Sequence, residues 1–173
     1  IIKLKPFLEK IGILGKMNFD IEEVGEPIPF KWGKCKLATV SFGHGITTTP
    51  LQLAKAYAII SNGGFAVEPS LIKSELKNNQ QKKRIIKAGI SEKIKPILRK
   101  IVTTKEGTAG LVNIKGYEVG GKTGTAQKTI LGGYSKAKVN TFAGIFPTSK
   151  PKYVLIVLLD EPKTSSDLSL IHI

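Results

Sequence analysis

The architecture of the chain depends on one short segment, Gly120-Gly121-Lys122-Thr123-Gly124-Thr125. Around this segment the spacing of apolar residues changes from the helical period to the alternation of strands. Three strands are predicted, at residues 117–126, 141–146 and 153–159, joined by a glycine-rich loop at 128–139 and a turn at 147–151. The third strand is apolar on both faces, which predicts a central position in its sheet.

The residues before this segment show mainly helical patterns. Helices are predicted at residues 1–16, 50–61 and 91–102, and Pro96 is expected to distort or delay the last of them. The second helix has the clearest limits, with Thr49 as its cap, Pro50 at its first position and Asn62-Gly63-Gly64 as its stop. Residues 20–36 are predicted to be a surface connection and residues 73–87 a solvated excursion. Helices followed by antiparallel strands predict an α+β fold.

Composition narrows the class of protein. The 173 residues carry 41% hydrophobic residues and no apolar run of the length that a membrane helix needs. The net charge is +14, but 25 of the 27 basic residues are lysines spread along the chain, and no nucleic-acid-binding motif accompanies them, so we expect no nucleic-acid partner. A single cysteine, Cys35, excludes an internal disulfide and a thiolate zinc site. The alternation around Cys35 predicts a small buried side chain.

The central segment satisfies the P-loop definition. Gly116 is followed by four residues and then by Gly121-Lys122-Thr123, and the apolar run 154–159 ends in acidic residues as a nucleotide site requires. The P-loop needs a helix directly after the lysine, so that backbone N–H groups meet the phosphates. The residues after Thr125 are poor helix formers and run into Gly132-Gly133. A nucleotide-binding protein is therefore disfavoured, although it stays an alternative.

The same segment satisfies the K-T-G definition of penicillin-recognising serine enzymes, in which the lysine lies on a strand. Lys122 can supply positive potential and take part in proton transfer. The hydroxyls of Thr123 and Thr125 can bind a terminal carboxylate, and Gly124 lets the backbone approach an acyl group. Strand alternation places Lys122 and Thr123 on opposite faces, so we expect a local twist or bulge that brings all four residues to one cleft.

Further motifs occur in a fixed order along the chain: Phe42-Gly43-His44-Gly45, Thr49-Pro50-Leu51-Gln52-Leu53-Ala54, Asn62-Gly63-Gly64, Gly107-Thr108-Ala109, Gly116-Tyr117, Gly121-Lys122-Thr123-Gly124-Thr125-Ala126 and Asp160-Glu161-Pro162. Together they resemble the C-terminal half of a class B penicillin-binding protein, of the septal peptidoglycan transpeptidase type. The resemblance implies a serine β-lactamase-like fold and a D,D-transpeptidase that cross-links stem peptides through an acyl-enzyme. It implies acylation by β-lactams and no metal or cofactor.

The resemblance also implies that the Thr125 backbone N–H is one oxyanion donor and that the second belongs to a nucleophilic serine. That family carries the serine in S-x-x-K and a second serine in S-x-N, both before K-T-G. The S-x-x-K pattern occurs here only after the position where the family has it, at Ser70, Ser74, Ser135 and Ser149. None is assigned as nucleophile, and the chain alone is expected to be inactive. His44 stands where the family often has Tyr or Gln, and its role stays open.

Residues 1–167 are accordingly interpreted as a partial transpeptidase domain, cut at both ends. Residues 168–173 resemble a translated sequencing-library adaptor and are expected not to be native, which removes His172 as a candidate ligand.

The expected partners are peptidoglycan stem peptides or their lipid-linked precursor, β-lactams, and membrane proteins of the division machinery. The implied location is the inner membrane, with the catalytic domain in the periplasm and the anchor outside this sequence. One alternative besides the P-loop protein is a non-catalytic relative that serves as a scaffold in cell division.

Overall fold

The computed structural model describes residues 3–73, 83–130 and 133–163. Two compact units divide the chain, one up to Ala88 and the other from Gly89. Four helices are present in the described ranges: α1 (Leu4–Lys10), α2 (Lys34–Ser41), α3 (Pro50–Ser61) and α4 (Ala88–Thr103). A 3-10 turn at Gly110–Val112 precedes strands β1 (Gly120–Ile130), β2 (Gly133–Phe146) and β3 (Tyr153–Asp160). Helices and an antiparallel sheet together confirm the predicted α+β class.

The first unit is built around α3, whose predicted limits are confirmed. The Thr49 hydroxyl accepts a hydrogen bond from the Gln52 backbone N–H, and the Gln52 side chain accepts one from the Thr49 N–H, which forms a capping box. Gln52 is fully buried because its amide also donates to the Gly15 carbonyl at 2.8 Å. Ala56 and Ile59 lie in the core of this unit.

The helix predicted at residues 1–16 is shorter in the structure and ends at Lys10. Gly12 and Gly15 both have φ near +81°, a conformation that cannot continue a right-handed helix. The apolar pattern nevertheless reports burial correctly, since Ile11 and Ile13 still pack in the core with Ile86.

The surface connection predicted at residues 20–36 ends earlier than expected, because α2 begins at Lys34. Cys35 lies on this helix and is exposed, so the prediction of a buried thiol is wrong. The prediction treated Lys34-Cys35-Lys36 as strand alternation, whereas the helical period turns Val40 inward and Cys35 outward.

The excursion predicted at 73–87 is described only in part, because residues 74–82 lie outside the described ranges. Arg84 forms an isolated antiparallel bridge with Phe65, and its guanidinium lies 4.0 Å from the centre of the Phe65 ring. Gly64 is required beside this bridge, since it has φ of +88° and a Cβ there would lie 1.9 Å from the Ile86 carbonyl oxygen.

The second unit begins with α4, which starts at Ala88 rather than at Ser91. Pro96 therefore lies inside the helix and does not delay its start. Leu98 and Val102 form the buried stripe of α4, and Val102 shares a core with Ala109, Val119 and Phe142.

The sheet of the second unit has the order β1-β2-β3, with both pairs antiparallel. The loop predicted at 128–139 is mostly strand, because β1 and β2 continue as a long hairpin to Ile130 and Gly133. In the described part of the sheet β3 pairs only with β2, so its predicted central position is wrong there. Apolar residues on both faces of a strand indicate what its faces are suited to contact, not whether both of its edges are paired.

No helix among the described residues is both long and apolar enough to cross a membrane. Residues 164–173 lie outside the described ranges, and with them the interpretation of the last six residues.

Candidate active site

The four residues of the central motif lie together on β1. Lys122, Thr123, Gly124 and Thr125 pair in unbroken antiparallel register with residues 143, 142, 141 and 140 of β2. The strand predicted here is confirmed. The P-loop alternative is wrong, because an extended strand and no helix follows the lysine. The bulge expected within the motif is absent, since the register first shifts between Gln127 and Thr129.

One edge of β1 is covered by β2, and no strand among the described residues pairs with the other. Alternate residues of such an edge strand direct backbone N–H and C=O groups outward. The free edge of β1 can therefore accept an added peptide strand.

Lys122 is exposed on β1, and its ammonium donates a hydrogen bond to the Thr123 carbonyl oxygen at 2.6 Å. This partner is a neutral backbone acceptor and not a carboxylate. The positive charge is thus held near the strand edge without an acidic partner at that contact.

Thr123 is largely covered, with 9% of its surface exposed. Its hydroxyl lies 2.8 Å from the hydroxyl of Thr108, in the loop after α4, and either oxygen can be the donor. Thr125, two residues further on the same face, is exposed. The contact with Thr108 was not predicted, because fifteen residues separate the two threonines and no periodic pattern connects them.

The glycines of the motif serve different purposes. A Cβ at Gly121 would lie 2.5 Å from the Phe142 ring, so this glycine allows the ring to pack against the strand. A Cβ at Gly124 would meet nothing within 4 Å. The space beside Gly124 is therefore open, as the approach of an acyl group requires.

The two residues just before β1 are held by hydrogen bonds from two other segments of the chain. Arg99 of α4 donates to the Val119 carbonyl at 2.6 Å, and Thr148 donates its N–H to the Glu118 carbonyl at 2.9 Å. Glu118 adopts φ of 48°, and hydrogen bonds from the Ser149 hydroxyl and backbone hold the pKa of its carboxyl below the ordinary value. A Cβ at Gly120 would lie 3.1 Å from the backbone nitrogen of Arg99, so α4 packs directly on the first residue of β1.

Beyond the motif, the bulge presents Lys128 to the end of β3. Its ammonium lies 2.7 Å from Glu161 and 3.1 Å from Asp160. The hydrogen bonds to Glu161 and then Asp160 raise the pKa of Lys128. The segment predicted as a loop at 128–139 is therefore tied at its start to the end of β3 by an ion pair.

The S-x-x-K matches are not arranged as a catalytic pair. A serine and a lysine three residues apart share one face only on a helix. Ser70, Ser135 and Ser149 all lie outside helices, and Ser74 falls outside the described residues. Ser149 is engaged by the Glu118 carboxylate at 2.5 Å. None of the three described serines gains support as the nucleophile.

His44 belongs to the first unit, between Gly43 and Gly45, which have φ of +85° and +71°. Because both glycines have positive φ, the backbone bends tightly around His44. The ring of His44 stacks on Phe42 at a centroid distance of 6.1 Å. Among the described residues no group of three or more His, Cys, Asp and Glu side chains could hold a metal ion.

A strand carrying Lys-Thr-Gly-Thr along a free sheet edge, packed against a preceding helix, defines a class of serine acyltransferase domain. The family model for the penicillin binding protein transpeptidase domain matches residues 3–170. The chain belongs to this family.

Among curated proteins, the chain is 36% identical over 134 residues to a probable peptidoglycan D,D-transpeptidase PenA of Neisseria flavescens, covering 76% of this chain and 32% of that protein. It is 30% identical over 174 residues to a probable peptidoglycan D,D-transpeptidase FtsI of Caulobacter vibrioides, covering 95% and 30%. The chain thus spans about a third of the length of these relatives.

Among solved structures, penicillin binding protein 3 of Mycobacterium tuberculosis complexed with aztreonam aligns with a TM-score of 0.80 at 27% identity. The alignment covers 95% of this chain and 41% of that one.

Proposed function

We propose that this chain supplies the Lys-Thr-Gly-Thr strand of a peptidoglycan D,D-transpeptidase that cross-links stem peptides in septal wall synthesis and is acylated by β-lactams. One observation carries the proposal: Lys122, Thr123 and Thr125 lie extended on a strand whose second edge no described strand covers. The family match and the printed names of the relatives support the same activity.

In this mechanism the stem peptide adds to the free edge of β1 as an antiparallel strand. The hydroxyls of Thr123 and Thr125 donate to its terminal carboxylate. Gly124 leaves room for the penultimate residue, whose carbonyl oxygen accepts from the Thr125 backbone N–H. Backbone pairing supplies affinity, and the two hydroxyls select a peptide that ends at this position.

The nucleophile is a serine from a part of the protein outside this chain. Its oxygen attacks the carbonyl carbon of the penultimate D-alanine, the peptide C–N bond breaks, and the terminal D-alanine departs as an amine that receives the proton from the serine. The amine of a second stem peptide then attacks the ester carbonyl carbon, and a C–N bond forms as the C–O bond to the serine breaks. The serine oxygen takes the proton that the amine loses, which completes the cross-link. Lys122 is exposed and its ammonium donates to the neutral Thr123 carbonyl at 2.6 Å, so it can turn toward the serine and stabilise charge during proton transfer.

The proposed function also implies a cellular location, protein partners and a substrate. We expect the full-length protein to be anchored in the cytoplasmic membrane with this domain on the outer side, together with membrane proteins of the division machinery. The substrate is the stem peptide of peptidoglycan or of its lipid-linked precursor.

The test is acylation of the full-length gene product by a fluorescent penicillin. Wild type is expected to be labelled, and Lys122→Ala is expected to lower the acylation rate constant about 100-fold or more, as loss of a group acting in proton transfer does. Lys152→Ala is the matched control, because Lys152 is an exposed lysine of the same sheet region and is expected to label at the wild-type rate.

Two results would contradict the proposal. One is a wild-type protein that carries S-x-x-K and stays unlabelled, and the other is Lys122→Ala labelled as fast as Lys152→Ala. A full-length protein in which the S-x-x-K serine is replaced would favour the non-catalytic scaffold instead.

A further inference from the structure

The hydroxyl pair formed by Thr108 and Thr123 connects the candidate site to a residue outside the K-T-G segment. The two oxygens lie 2.8 Å apart. Thr123 is 9% exposed, so protein covers most of its surface, whereas Thr108 is exposed. A hydroxyl has one hydrogen to donate and can accept others. The direction of this bond therefore decides whether the Thr123 hydrogen is available to a ligand.

The loop that carries Thr108 is held firmly against the end of α4. Gly107 packs so closely that a Cβ there would lie 2.0 Å from the Ile101 carbonyl oxygen. The next residue, Ala109, is 1% exposed and donates its N–H to the same carbonyl at 3.3 Å. Both neighbours of Thr108 are thus fixed by the backbone of one helix residue, which gives the Thr108 side chain a defined position.

We propose that Thr108 is a positioning residue for the carboxylate subsite, an inference that rests on the proposed function. The Thr108 hydroxyl donates to the Thr123 oxygen, and this bond directs the Thr123 hydrogen toward the terminal carboxylate of the stem peptide or of a β-lactam. Without Thr108, the Thr123 hydroxyl can rotate and must be ordered again each time a ligand binds.

The experiment measures the second-order acylation rate constant of the full-length protein with benzylpenicillin and with its methyl ester, which lacks the carboxylate. Thr108→Val keeps the shape and removes the hydroxyl. It is expected to slow acylation by benzylpenicillin about tenfold, the effect of one hydrogen bond. Acylation by the methyl ester should change less than about twofold, because that compound has no carboxylate to position.

Three further variants make the test specific. Thr108→Ser restores the hydroxyl and is expected to recover most of the rate. Thr104→Val is the matched control, since the Thr104 hydroxyl bonds to the Lys100 carbonyl in the same segment. In a Thr123→Val background, Thr108→Val should have no further effect, because two residues that act through one bond are not additive.

The outcomes separate this inference from the proposed function. If wild type and Thr108→Val react with benzylpenicillin equally fast, the role of Thr108 is overturned and the transpeptidase proposal still stands. Equal losses with benzylpenicillin and its ester, or additive losses with Thr123→Val, also overturn it, because they indicate a general structural defect. Wild type that reacts with neither compound overturns both proposals.

Discussion

Replacing Gly107 with alanine tests the link between α4 and the loop before β1. The added Cβ would lie 2.0 Å from the Ile101 oxygen and 2.7 Å from its carbonyl carbon. Both atoms belong to helix backbone, so neither can move aside as the end of a side chain could. The loop must therefore shift by about 1 Å or more to restore normal van der Waals separation.

The cost of this shift can be estimated from the structure. Forcing extra atoms into a packed site costs about 1–3 kcal/mol. The upper part of that range is expected here, because the movement also strains the bond from the Ala109 N–H to the Ile101 oxygen, already 3.3 Å long. At about 2–4 °C per kcal/mol for an unfolding unit of roughly 150–250 residues, a loss near 3 kcal/mol lowers the melting temperature by roughly 6–12 °C, and a larger unfolding unit in the full-length protein makes the shift smaller.

The assay is thermal unfolding of the full-length protein, with Gly110→Ala as the matched control. A Cβ at Gly110 would meet nothing within 4 Å, so this variant is expected to stay within about 0.5 kcal/mol of wild type. Penicillin acylation should fall in Gly107→Ala as Thr108 moves away from Thr123. If Gly107→Ala melts within about 1 °C of Gly110→Ala, the argument from backbone contact is refuted.

Three other predictions follow from individual contacts. The Asn140 side-chain oxygen is buried with no hydrogen-bond partner among the described residues, so Asn140→Leu is expected to raise the free energy of unfolding by about 1 kcal/mol. A lower free energy of unfolding in a denaturant titration would contradict this. Thr49→Ala removes the capping box on α3 and should cost about 1 kcal/mol in the same titration, and an unchanged midpoint would show that the cap is dispensable. Ser149→Ala should raise the pKa of Glu118 toward its ordinary value of 4.5, measured by carbon NMR of the carboxyl. The folded-state pKa of Glu118 is the lowered one, so the stability that wild type gains from this contact is present above pH 4.5. That stability is lost as the pH falls through the lowered pKa. Equal pKa values of Glu118 in the two proteins would refute the assignment.

Local signals in the sequence located several parts of the fold. The limits of α3 could be predicted because Thr49, Pro50 and Gln52 interact within one helical turn. The strand at the K-T-G segment could be predicted because glycines and β-branched residues exclude a stable helix there. The prediction failed at Cys35, where three residues are too few to distinguish the strand period from the helical one.

The length of the hairpin and the place of β3 depended on pairing between distant residues. Residues 128–139 contain turn-forming glycines, but pairing across the hairpin holds the described residues 128–130 and 133–139 extended. Intrinsic strand propensity is weak compared with such cross-strand contacts, so composition alone predicted a loop.

By itself the sequence determined which residues carry the chemistry, because Lys122, Thr123, Gly124 and Thr125 are adjacent in the chain and their spacing is fixed covalently. Only the tertiary structure decided which hydroxyl contacts Thr123 and which edge of β1 has no paired strand among the described residues. Thr108 reaches Thr123 because α4, Gly107 and β1 pack together. Such a contact depends on tertiary packing between segments separated in the chain, so no local sequence pattern predicts it.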